Sequence, residues 1–115
     1  MQRGDIVWVD LGPTAGSEAS KRRPSVIVSN DGANRTAQRL GRGVITVVPV
    51  TSNTERIYPF QVFLPAGSGG LTKESKAQAE QIRSVAVQRV AGTAGRLPPD
   101  LLAQLDNAIR LHLGL

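Results

Sequence analysis

Short apolar runs rich in β-branched residues recur along the chain, separated by polar and glycine-rich stretches. Residues 5–11 contain Ile6, Val7, Trp8 and Val9, residues 25–29 contain Val26, Ile27 and Val28, and residues 44–50 are dense in valine. In residues 57–64, Phe60, Val62 and Leu64 alternate with Gln61 and Phe63. A fifth run is expected over 76–85 and a short sixth over 87–90. Continuous β-branched runs of this length suit strands buried on both faces. Turn signals between them predict a small barrel of mostly antiparallel strands. The last segment changes period. Leu101, Leu102, Leu105, Ala108, Ile109, Leu111 and Leu113 follow helical spacing, which predicts a helix over 99–113. Pro98 and Pro99 suit its start, Asp100 its positive end, and Gly114 its stop. The fold class is therefore β-rich α+β, in one domain over residues 1–115.

The connections are long for strands this short. Residues 12–23 contain Gly-Pro and further small polar turns, 31–42 are polar and basic, 52–56 are short and polar, and 65–70 hold three glycines. Loops on a rigid scaffold are where function concentrates. Trp8 and Phe60 read as core. With Tyr58 and Phe63 they are the aromatics of the chain, too few for a stacking platform. His112 reads as an ordinary helix-surface residue.

Composition narrows the chemistry. There is no cysteine, which excludes disulfides and thiolate metal sites, and a single histidine argues against a His-ligated metal. No metal or other cofactor is expected. The N-terminal segment has no signal-peptide pattern and no run approaches membrane-spanning length, so a cytoplasmic protein without a membrane partner is expected. The net charge is +5 and the sequence pI about 10.8. Lys21, Arg22, Arg23, Arg35, Arg39 and Arg42 share one stretch, with Asp31 the only acid among them. Such clustering suits an anionic partner, most commonly nucleic acid.

Several loop and strand-end residues could act on phosphate. Pro24 biases Arg23 toward an extended conformation just before a buried strand, where a guanidinium can grip a phosphate with two prongs. Thr51 ends the valine-rich third strand, and its hydroxyl could donate to a phosphoryl oxygen. Glu18 shares the loop with Arg23 and could position it or act as a base. The competing readings are a solvated arginine beside a turn proline, a threonine bonded to its own backbone, and a surface carboxylate offsetting Lys21 and Arg22. Ser17, Lys21, Arg22, Asn34, Arg35, Ser52 and Asn53 in these loops, with Gln78, Glu80 and Gln81 on the fifth run, are candidate RNA contacts.

A family resemblance rests on several motifs in order. Arg3-Gly-Asp-Ile-Val-Trp-Val-Asp-Leu leads into Pro13-Thr-Ala-Gly-Ser-Glu and Arg23-Pro24. Val48-Pro-Val-Thr51-Ser, Tyr58-Pro-Phe, Glu80-Gln-Ile-Arg83 and a terminal helix ending Leu-Gly-Leu follow. Over nearly the whole chain this resembles the MazF/PemK toxins of bacterial toxin–antitoxin modules. The resemblance implies an SH3-like barrel with a terminal helix, a two-fold homodimer, and metal-independent, sequence-selective cleavage of single-stranded RNA. It also implies inhibition by an antitoxin with an acidic C-terminal segment. The family's catalytic arginine and threonine fall on Arg23 and Thr51, and a further glutamate on Glu18. The PemK/Kid branch carries a histidine after the loop glycine, and an arginine and an aspartate on the fifth strand. Here those positions are Ser17, Gln78 and Glu80, which places the chain with the MazF branch.

A substrate that supplies its own nucleophile would suit a protein without cysteine. An RNA 2′-hydroxyl can attack the neighbouring phosphate while Arg23 and Thr51 stabilise the charge that builds on the phosphoryl oxygens. Arginine stays protonated, so Glu18 or a water is the better acceptor for the 2′-proton. Two other functions compete. One is a CcdB-like topoisomerase poison, although that family relies on a C-terminal tryptophan where this chain ends Leu111-His-Leu-Gly-Leu. The other is a non-catalytic RNA-binding barrel.

Overall fold

The structure is a computed structural model that describes residues 1–12 and 21–115. Among the described residues, seven strands and two α-helices follow one another as β1 (Asp5–Asp10), β2 (Arg22–Ile27), α1 (Asp31–Leu40), β3 (Val44–Thr51), β4 (Gln61–Leu64), β5 (Ser75–Gln78), β6 (Arg83–Ala86), β7 (Val90–Arg96) and α2 (Pro99–Leu113). All pairings are antiparallel, in the order β4-β5-β3-β2-β1-β7, with β6 also on β3. The sheet does not close, because the end strands β4 and β7 do not pair with each other.

The uninterrupted apolar runs are explained by burial on both faces. On β1, Ile6 packs in a cluster with Val26, Val48, Val50, Leu64 and Leu105 of α2. Its neighbour Val7 packs on the opposite side with Val9, Ile27, Val47, Val85 and Ala37 of α1. One helix thus covers each face. Two irregularities interrupt the β1–β7 register, after Ile6 and after Trp8.

The expected fifth run is two strands. A 3-10 turn at Ala79–Gln81 separates β5 from β6, and each pairs with a different part of the long β3. The expected sixth run is mostly another 3-10 turn, Val87–Arg89, leading into β7. β4 starts only at Gln61, beyond Pro59. β2 starts earlier than the apolar pattern, so Arg22 and Arg23 ride on a strand.

Residues 31–42, expected as a polar loop, are mostly helix. Asn30 caps α1 by accepting the Ala33 N–H (2.8 Å), Asp31 complements its first turn, and Gly41 ends it at φ 65°. The helix buries only Asn34 and Ala37. Asn34 is fully buried and corrects its assignment as an RNA contact. Its amide donates to the Ser29 carbonyl (2.9 Å) and its oxygen accepts the Ser29 hydroxyl. The Ser29 oxygen in turn accepts the Thr46 N–H (3.0 Å), tying α1 to β3. Arg3 makes a comparable tie at the other end: its guanidinium donates to the Val28 carbonyl and pairs with Asp106 of α2 at 2.6 Å.

Candidate active site

β2 and β3 part at a defined point. Their register pairs Ser25 with Pro49, Val26 with Val48 and Ile27 with Val47. Pro24, one step beyond this register and opposite Val50, has no N–H, so the ladder loses a donor at this end. Continuing the register by two residues sets Arg23 across from Thr51. There each strand is held by a different neighbour, Arg23 opposite Val9 on β1 and Thr51 opposite Lys76 on β5. A cleft of about 640 Å³ opens here, lined by Arg23, Thr51, Trp8, Lys21, Arg22, Ser52, Thr72 and Lys73, among others.

The backbone fixes where these groups start. Lys21 has a left-handed φ of 65°, a conformation that costs a non-glycine residue about 1–3 kcal/mol. It is held by its N–H donating to the Gly12 carbonyl (2.7 Å) and its carbonyl accepting the Leu11 N–H (2.9 Å). These bonds tie Lys21 to the end of β1 and lead the basic run from Lys21 to Arg23 into β2. The far wall is equally constrained. Gly70, at φ +84°, lies against the Ala94 carbonyl, and a β-carbon there would overlap that oxygen. This contact presses the turn before Leu71–Lys73 onto β7.

Thr51 combines two roles. Its Oγ1 accepts the Asn53 N–H (3.2 Å), and the Asn53 oxygen accepts the Glu55 N–H (3.2 Å). The backbone bond expected of a turn threonine is therefore present. It occupies an oxygen lone pair and leaves the hydroxyl proton as a donor. Lys21, Arg22, Arg23 and Lys73 line the cleft, and no carboxylate of the described residues does. The arrangement can hold a phosphodiester, with guanidinium and hydroxyl donors meeting its non-bridging oxygens.

Of the residues expected from sequence, Lys21, Arg22, Arg23, Thr51 and Ser52 share this cleft. Ser17 and Glu18 lie outside the described residues. Asn53 lines a shallower depression with Glu55, Arg56 and Lys76. Glu80 and Gln81 line another with Ile82 and Arg83. Glu80 Oε2 accepts from the Gln61 amide (2.6 Å), while Gln78 stands opposite Gln61 on β4. Arg35 is exposed on α1 and does not line the cleft. Sequence reasoning missed Trp8, Thr72 and Lys73. Trp8, expected in the core, is 40% exposed. It shares the side of β1 that carries Ile6, but lies beyond the cover of α2. Thr72 and Lys73 follow the glycine-rich turn and carry no periodic signal.

Similarity to known proteins settles the family. A sequence model described as PemK-like, MazF-like toxin of type II toxin–antitoxin system matches residues 2–113. The chain belongs to this family. It is 61% identical over 115 residues to endoribonuclease MazF9 of Mycobacterium tuberculosis, covering all of this chain and 98% of that protein. It is 28% identical over 116 residues to endoribonuclease EndoA of Bacillus subtilis, covering 100% of this chain and 96% of that protein. The solved structure of MazF from Deinococcus radiodurans has a TM-score of 0.81 at 30% identity, covering 100% of this chain and 97% of that one. A MazE–MazF complex from the same organism has a TM-score of 0.74 at 27% identity, covering 100% and 96%. Full-length similarity to curated endoribonucleases places this MazF-like toxin among the enzymes of the family. The topoisomerase-poison and non-catalytic alternatives find no support in these matches. As in its relatives, the sheet is antiparallel and carries a C-terminal helix.

Proposed function

We propose that this MazF-like toxin cleaves single-stranded RNA, sequence-selectively and without metal, by attack of a ribose 2′-hydroxyl on the adjacent phosphate. The observation that carries this reading is the meeting of Arg23 and Thr51, from different strands, in one cationic cleft. The 2′-oxygen forms a bond to phosphorus, the bond to the 5′-oxygen breaks, and the leaving oxygen takes a proton from water. The products are a 2′,3′-cyclic phosphate and a 5′-hydroxyl. Arg23 and the Thr51 hydroxyl stabilise the phosphoryl oxygens as charge builds. Glu18, or a water, accepts the 2′-proton. Lys21, Arg22, Lys73 and Ser52 hold the flanking backbone, with Ser17 and Asn53 as further contacts.

The same surface suits an antitoxin with an acidic C-terminal segment, and complexes with antitoxin are known for related MazF toxins. A homodimer would lengthen the groove and add buried surface to a small chain. The setting is the cytoplasm; no helix among the described residues is long and apolar enough to cross a membrane. The test is incubation of purified protein with mixed-sequence RNA in the presence of chelator. Discrete fragments ending in cyclic phosphate support the reading. Intact RNA, or fragments only when metal is added, would refute it.

A further inference from the structure

We propose that Trp8 is a base-stacking residue that receives a nucleobase beside the scissile phosphate. The proposal rests on the ribonuclease reading above and assigns a role to a wall of the cleft which that reading leaves unused. Trp8 lines the same cleft as Arg23 and Thr51 and is 40% exposed, whereas Ile6, Val7 and Val9 on the same strand are fully buried. Its cross-strand neighbours explain the exposure. On one side it faces Pro24, on the other Gly92 of β7. A β-carbon added at Gly92 meets nothing within 4 Å, so the space beside the indole is open.

The surroundings favour a nucleotide. Every nucleobase has a π-face, and an exposed indole beside a cationic cleft supplies a platform for one. Lys21, Arg22, Arg23 and Lys73 draw the phosphates into the cleft, leaving the attached base to find the apolar wall. Stacking of this kind tolerates any base, so Trp8 contributes affinity and alignment, while the identity of the cut is read elsewhere.

Trp8 is the only tryptophan of the chain, so its emission reports this subsite directly. The probe is a short RNA with a 2′-deoxy sugar at the cut site. Its binding should quench Trp8 emission. An abasic substitution at one of the two nucleotides flanking the cut should abolish quenching and weaken binding roughly tenfold to a hundredfold. Trp8→Ala should weaken binding by a similar factor, and Trp8→Phe by much less. Gly92→Val leaves the tryptophan in place, suits a strand, and fills the space beside it. It should keep the thermal midpoint while losing both quenching and affinity.

Unchanged emission on saturating RNA, with Trp8→Ala binding as tightly as the parent, would overturn the proposal. Emission that changes with protein concentration and not with RNA would also overturn it, assigning Trp8 to contact between copies of the chain. Cleavage of all-ribose RNA by the parent is scored separately. A protein that cleaves without quenching loses the stacking subsite and keeps its enzymatic function.

Discussion

If the cleft between β2 and β3 holds RNA backbone, the salt dependence of binding should count its cations. Lys21, Arg22, Arg23 and Lys73 line it, and no described carboxylate does. Each phosphate neutralised on a single strand contributes about −0.7 to the slope of log K against log salt. Four contacts per protomer therefore give a slope of about −2.8 and a loss of about 50-fold in affinity between 50 and 200 mM salt. Lys73→Gln removes one contact without touching Arg23 or Thr51, so the slope should fall to about −2.1. Arg110→Gln makes the same charge change on the exposed surface of α2 and should leave the slope unaltered. The assay is fluorescence anisotropy of an uncleavable oligonucleotide at four or five salt concentrations, normalised per protomer. A flat response would refute the assignment of the cleft to RNA. Equal slope changes for Lys73→Gln and Arg110→Gln would reduce the basic charge to a diffuse effect.

Three further predictions follow from the same geometry. Arg23→Ala and Thr51→Ala should each slow cleavage roughly 10²–10³-fold with unchanged circular dichroism, and Arg23→Lys should not rescue fully because an ammonium lacks the two-pronged contact. Asn34→Ala should act on stability alone. It loses two part-buried hydrogen bonds to Ser29, about 1–3 kcal/mol, or a fall of about 4–12 °C in Tm by calorimetry. Slower cleavage well below Tm would instead return Asn34 to the RNA. Sedimentation at micromolar concentration should give a dimer mass, and a monomer there would count against the paired groove.

The strand runs and α2 were legible because large apolar side chains mark them. Ile6 and Val7 occupy opposite faces, yet both are core, and a continuous run reports that directly. α1 escaped because its inward positions are an amide and a methyl, Asn34 and Ala37, which carry little hydropathic signal. The Asn30 cap and the Gly41 stop were the available cues. β7 reads Val-Ala-Gly-Thr-Ala-Gly-Arg and lies at the sheet edge, so few of its side chains needed to be apolar. The Arg23–Pro24 and Thr51 positions were legible as motifs. Their meeting was not, because it depends on the β2–β3 register and on where that ladder ends. Trp8 was misplaced for a related reason: side-chain alternation assigns a face, but not how far the covering helix extends.

The most direct test of the central claim replaces a single oxygen in the substrate. An RNA carrying one 2′-deoxy sugar at the mapped cut site is compared with the all-ribose oligonucleotide, at equal saturation and with chelator present. Internal attack predicts that the deoxy substrate binds nearly as well and is not cut there, while the ribose substrate yields a 2′,3′-cyclic phosphate and a 5′-hydroxyl by mass spectrometry. Cleavage of the deoxy substrate at the same bond would contradict the account and require a water nucleophile activated by the protein.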